Sequence, residues 1–197
     1  MRTINIVSGT KNKLMMKKLL SIFLASFFTI SAIAQLSEIP KQEIPEEYGF
    51  IVEIGQQMPN IKLELTNGEK IKTKDLIGKV VMLQFTASWC GVCRQEMPHI
   101  EKDIWLKHKN NEDFALFGVD MDEPIDRVIK FAEDMKINYP LALDPEAKIF
   151  YTFAARGAGV TRNIIIDKTG KIVYMTRLFK EDEFNEMVEV IDLLLAR

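Results

Sequence analysis

The sequence predicts an α/β fold, with a central mixed β-sheet flanked by helices. Three observations predict it. Two nearly continuous apolar runs, "KVVMLQF" (Lys79 to Phe85) and "FALFGVD" (Phe114 to Asp120), have the length and β-branched content of strands buried on both faces. Each is followed by a segment whose apolar residues recur at helical spacing. The chain then closes on a strand, a turn, a returning strand and a last amphipathic helix, which adds an antiparallel pair to the parallel one.

Taken in order, residues 35–54 form an irregular lead-in, and residues 55–197 form one domain with neither internal repeats nor low-complexity tracts. In "IKLELTNGEKIKT", Ile61, Leu63 and Leu65 alternate and Asn67-Gly68 is a hairpin turn signal, so an N-terminal β-hairpin extension precedes the first buried strand. From Cys90 the chain reads as helix to about Lys109, with Met97, Ile100 and Ile104 on one face and a kink at Pro98. Pro124 opens a helix whose apolar face is Ile125, Val128, Ile129, Ala132 and Met135. "PLALD" (Pro140 to Asp144) and a short helix near Glu146 to Phe153 lead to a strand from Asn163 to Asp167, the turn Lys168 to Gly170, and the returning strand Lys171 to Arg177. The last helix, from about Glu181, carries Phe184, Met187, Val188, Ile191, Leu194 and Leu195 on one stripe, with acids in its first turn that suit the helix dipole.

Residues 1–34 have the layout of a secretory signal peptide. Arg2, Lys11, Lys13, Lys17 and Lys18 precede the uncharged run "LLSIFLASFFTISAIAQ", which closes on Ala32-Ile33-Ala34, and cleavage is expected after Ala34. Met16 followed by Lys17-Lys18 is an alternative start that already makes a complete signal. The competing reading is an uncleaved membrane anchor; the absence of cysteine near the junction excludes a lipid-anchored mature end. Removing residues 1–34 takes away basic residues and no acidic ones, and the remainder has a clear acidic excess, against nucleic acid or an anionic membrane surface as partner.

Export gives meaning to the 2 cysteines, Cys90 and Cys93 in "SWCGVCR", because disulfides form and persist in oxidising compartments. A stapled scaffold would spread many cysteines along its chain, and so short a loop removes little chain entropy. Zinc needs four ligands; no second Cys pair exists and His99 and His108 are poorly spaced, so no metal is expected. Covalent haem needs His where Arg94 stands.

The stretch "VVMLQFTASWCGVCRQEMPHIE" resembles the active-site region of TlpA-like and ResA-like thioredoxin-fold proteins, the exported thiol–disulfide oxidoreductases of the redoxin group. "IKLELTNGEKIKTKDLIGK", "LALDPEAKIFYTF" and "IIIDKTGKIVY" resemble that family's opening hairpin, inserted segment and closing hairpin, so the likeness runs from about Gly55 to the C-terminus. The resemblance implies a thioredoxin-like fold and a redox-active Cys90-Cys93 pair, Cys90 being the nucleophile at the helix start and Cys93 the resolving thiol one turn in. It implies supporting roles for Trp89 at the docking surface and for Glu96, either a proton relay near Cys93 or a helix-face charge. The enzyme would need no bound cofactor. Its partners would be exported proteins carrying disulfides and a membrane-bound thiol reductase as electron donor, in the periplasm of a Gram-negative-type bacterium.

Three residues depart from the family pattern. Thr161 stands where the family usually carries a cis-proline facing the disulfide, and a trans Val160-Thr161 peptide is expected. Gln84 replaces the buried aspartate of thioredoxins proper and cannot act as a general base, and Thr86 replaces an aromatic residue. Two other functions stay open at this point. A thiol peroxidase using Cys90 would resemble a pattern with threonine and proline where Ala87 and Leu83 stand, and a partner-binding module with a vestigial redox pair would suit the missing proline.

Overall fold

A computed structural model describes residues 39–197; the signal-peptide reading of residues 1–34 lies outside them. Seven strands form one sheet in the order β2-β1-β5-β4-β3-β6-β7. They are β1 (Lys62–Leu65), β2 (Lys70–Lys72), β3 (Val80–Thr86), β4 (Phe114–Met121), β5 (Leu141–Asp144), β6 (Arg162–Ile166) and β7 (Ile172–Arg177). The helices are α1 (Gly91–His99), α2 (Ile125–Met135), α3 (Phe150–Phe153) and α4 (Glu181–Leu195).

The two apolar runs form the middle of the sheet. β3 is buried along its whole length and is held on both edges, parallel to β4 from Val80 opposite Phe114 to Thr86 opposite Asp120, and antiparallel to β6 from Val81 opposite Ile166 to Phe85 opposite Arg162. Strand alternation sends Val81, Leu83 and Phe85 into one core with Phe150, Phe153 and Ile164. Val80 and Met82 enter the other with Met97, Ile100, Phe131, Met187 and Ile191. The mixed sheet is flanked unequally: α1, α2 and α4 pack on one face, whereas the short α3 and the lead-in from Ile44 onward cover the other.

The hairpin forms as expected, and it is joined to the main sheet by a strand not foreseen in "PLALD". β5 pairs antiparallel with β1 and parallel with β4, filling the gap between them. Four residues are too few for periodicity to identify a strand. Residues 39–54 pack on the domain: Gln42 exchanges hydrogen bonds with the Met175 backbone in both directions, 2.6 and 2.8 Å, and so covers the exposed edge of β7.

Four helix expectations are corrected. The interruption at Pro98 takes the form of a change to π-helical bonding over Ile100–Trp105, followed by one more α turn at Leu106–His108. On α2 the buried residues are Val128 and Phe131, while Ile125 and Ile129 stay 45% and 42% exposed, because the helix docks through its largest side chain. On α4 Val190 rather than Val188 is buried with Phe184, Met187, Ile191 and Leu194. The short helix near Glu146 splits into a single turn, Pro145–Ala147, and α3, whose Ile149 and Phe150 amides both donate to the Asp144 carboxylate at 2.7 Å.

Gly118 on β4 shows how tightly the central strands are packed. A Cβ there would stand 2.3 Å from Leu141 Cδ2 and 3.2 Å from Tyr139 Cε2, and the space it leaves lets the Tyr139 hydroxyl donate to Gln84 Oε1 at 2.7 Å. Gly118→Ala is therefore expected to lose about 1–3 kcal/mol of unfolding free energy in urea denaturation, the usual cost of overpacking. A change below about 0.5 kcal/mol would mean that Leu141 and Tyr139 yield freely.

Candidate active site

The site sits where β3 ends and α1 begins. After Thr86 the chain turns through Ala87 to Trp89, with the Cys90 amide donating to Ala87 O at 3.0 Å, and Cys90 enters the helix as its N-cap. Cys90 Sγ accepts the Cys93 amide at 3.1 Å, as a serine cap would. A spacing of three on a helix brings both side chains to one face, and Cys90 and Cys93 are joined in a disulfide. Cys90 is 7% exposed and Cys93 fully buried, so of the two residues only Cys90 keeps any open surface.

Thr161, on the loop entering β6, faces the pair directly. Its Oγ1 lies 3.1 Å from Cys90 Sγ and 3.3 Å from Cys93 Sγ, and no cis peptide occurs among the described residues, in keeping with the trans peptide expected there. Trp89 is 64% exposed beside the disulfide, on the rim rather than in the core.

Glu96 lies one turn beyond Cys93 and is buried, which removes the reading of a solvated helix-face charge. Its Oε1 accepts the Asn163 amide at 2.7 Å, and the same amide donates to Thr176 Oγ1 at 2.9 Å. Burial pushes the Glu96 pKa up to about 7, and the Asn163 and Gln84 amides, which lower it, offset only part of that. Gln84 closes the group from the strand side and is held by Tyr139. Arg94 is exposed, its guanidinium lying 5.4 Å over the Phe131 ring and donating to Ser88 O at 3.2 Å.

A second set of residues escaped sequence reasoning. Glu123 receives both Ser88 donors, the amide at 2.5 Å and the hydroxyl at 2.6 Å, and so ties down the turn before Trp89 and Cys90. Behind it Asp120 is buried; burial first, and then the neighbouring Glu123 charge, raise its pKa to about 8. A carboxylate at the C-terminal end of a buried strand and another just after it, in "VDMDEP", were the available signal. Among the described residues no group of three or more His, Cys, Asp and Glu is placed to hold a metal ion.

Comparison with known proteins gives a consistent picture. Residues 53–191 match the Redoxin family. A thiol-disulfide oxidoreductase ResA from Bacillus cereus is 33% identical over 122 residues, 62% of this chain and 68% of that protein. A solution structure described as a candidate protein disulfide isomerase from Bacteroides thetaiotaomicron is 56% identical, with a TM-score of 0.74 over 76% of this chain and 94% of that one. A crystal structure described as a candidate thiol:disulfide interchange protein DsbE from Chlorobium tepidum is 27% identical, with a TM-score of 0.63 over 73% of this chain and 99% of that one.

The two raised carboxyls set the sign of a pH dependence. Folded Glu96 and Asp120 hold protons up to about 7 and about 8, whereas the unfolded chain releases them near 4.5 and 3.8. Their contribution to stability is complete below the unfolded values and is lost as pH rises through the folded ones. Denaturation of the oxidised protein should therefore become easier between about pH 4 and about pH 8, and Glu96→Gln should flatten the part of that slope below about 7. Equal slopes in the parent and the variant would contradict the assignment of a buried, protonated Glu96.

Proposed function

The chain belongs to the redoxin family and is a thioredoxin-fold thiol–disulfide oxidoreductase of the ResA-like kind, and on that footing we propose how its dithiol works and on what. The observation that carries the assignment of roles is the unequal burial of two bonded cysteines at one helix start, Cys90 keeping 7% exposure and Cys93 none.

In the reduced protein the Cys90 thiolate attacks one sulfur of a partner's disulfide. The partner's S–S bond breaks, its second sulfur leaves as a thiolate and takes a proton, and a Cys90–partner mixed disulfide forms. The Cys93 thiol then loses its proton toward the Glu96 carboxylate, attacks Cys90 Sγ and releases the partner's first sulfur, leaving the Cys90-Cys93 disulfide. A carboxyl with a pKa of about 7, one turn along the same helix face, suits that transfer near neutral pH, a task Gln84 cannot perform. Two electrons have moved to the partner, so the cycle closes when two are returned, and no bound cofactor enters it. Trp89, exposed beside Cys90, offers an aromatic face for the partner chain.

The partners in this reading are exported proteins with disulfides, and the electron donor is a membrane-bound thiol reductase. The sequence pattern of residues 1–34 supports export to the periplasm, with an uncleaved anchor as the other form of the same targeting. Among the described residues no helix is long and apolar enough to cross a membrane.

Replacing the resolving thiol tests the division of labour. Cys93→Ala should accumulate thiol-sensitive covalent adducts through Cys90, visible as reducible bands on non-reducing gels of periplasmic extracts, and Cys90→Ala should give none. Glu96→Gln in an otherwise unchanged chain should slow resolution by about 10- to 100-fold near pH 7 and leave the first attack unchanged in stopped-flow mixing. Absence of adducts from Cys93→Ala would remove the exchange role.

A further inference from the structure

Thr161 differs from the proline expected at its position in one chemical respect that bears on catalysis: it brings a hydroxyl to the two sulfurs. The residue is buried, and its backbone is fixed, because the Leu178 amide donates to Thr161 O at 3.1 Å as β6 and β7 run together. On that backbone its Oγ1 lies 3.1 Å from Cys90 Sγ and 3.3 Å from Cys93 Sγ.

In the disulfide neither sulfur carries a proton, so the one hydroxyl proton is the only donor available and is shared between the two sulfurs. The two sulfurs are the hydrogen-bond partners the structure gives it. A disulfide sulfur is a weak acceptor and a thiolate a strong one, so the same O–H gains most when the pair opens and negative charge collects on Cys90. The Cys93 amide already donates to that sulfur at 3.1 Å. Reduction thus leaves the Cys90 thiolate between two donors, one from the backbone of α1 and one from a side chain across the site.

We propose that Thr161 is a further catalytic residue, whose hydroxyl hydrogen-bonds the Cys90 sulfur whenever that sulfur carries negative charge. It serves the attacking thiolate when a partner's disulfide is opened. It serves the leaving thiolate when the electron donor breaks its own mixed disulfide with Cys90. The proton stays on Oγ1 throughout, and no electrons pass through the residue; its effect is to lower the basicity of Cys90 and to favour the reduced pair. The proposal rests on the reading of Cys90 as the nucleophile.

The test is a titration in which Cys90 is the only thiol. In the Cys93→Ala background, thiolate absorbance near 240 nm is followed against pH with Thr161 intact and with Thr161→Val, Thr161→Pro and Thr161→Ser. Loss of the hydroxyl in the Val and Pro variants should cut the thiolate fraction below the midpoint by about tenfold or more, and Ser should restore most of it. With both cysteines present, equilibration against glutathione should shift about tenfold toward the disulfide in Thr161→Val. Titrations of Val and Pro variants that stay within about twofold of the parent, or a Ser variant that behaves like Val, would overturn the proposal. Failure to trap partners on Cys90 would instead overturn the exchange reading and leave this titration unaffected.

Discussion

Cys90 caps the helix that carries its own partner: its Sγ accepts the Cys93 amide at 3.1 Å, and the geometry of the whole site follows from that bond. An N-cap residue must sit in extended backbone while the next residues turn helical, and Cys90, at φ −84° and ψ 106°, does so. The cap places one sulfur at the positive end of the helix and the other a turn inside it, the arrangement in which a thiolate is favoured at the outer position. It also requires the preceding turn to be rigid. That rigidity comes from β3, held on both edges, and from Glu123, which takes both donors of Ser88.

Beneath the cap lies a polar group that an apolar core would not tolerate without its partners. Gln84 is the strand-side member of this group, and its ionisable member is Glu96 on α1. The cost of burying Glu96 is a raised pKa and a fold that is less stable where that carboxyl ionises. Asn163 and Tyr139 hold the group together, and Tyr139 reaches Gln84 only because Gly118 leaves a lane across β4. The packing at Gly118 thereby bears on Gln84, the strand-side neighbour of the buried Glu96 carboxyl.

Much of this was legible in the sequence. Asn67-Gly68 announced the hairpin, since few dipeptides accept the backbone that its turn demands, and the runs containing Val80–Phe85 and Phe114–Val119 announced buried strands by composition alone. The motif around Cys90 placed the site at a strand-to-helix junction. What escaped depended on contacts between distant segments. β5 exists because β1 and β4 leave a gap of one strand, the buried face of α2 was decided by the bulk of Phe131, and Glu123 meets Ser88 only once β3 and β4 lie side by side. Thr161 was found by its register before β6, whereas the reach of its hydroxyl to both sulfurs needed coordinates.

The central claim is that Cys90 and Cys93 form a working dithiol rather than a staple. Equilibrating the protein across a series of glutathione redox buffers, and quantifying the free thiols at each, tests this directly. A working dithiol gives one reversible transition with a two-electron slope, at a midpoint independent of protein concentration, with both thiols appearing together. A disulfide that resists reduction across the series, or that fails to re-form on return to oxidising buffer, would contradict it.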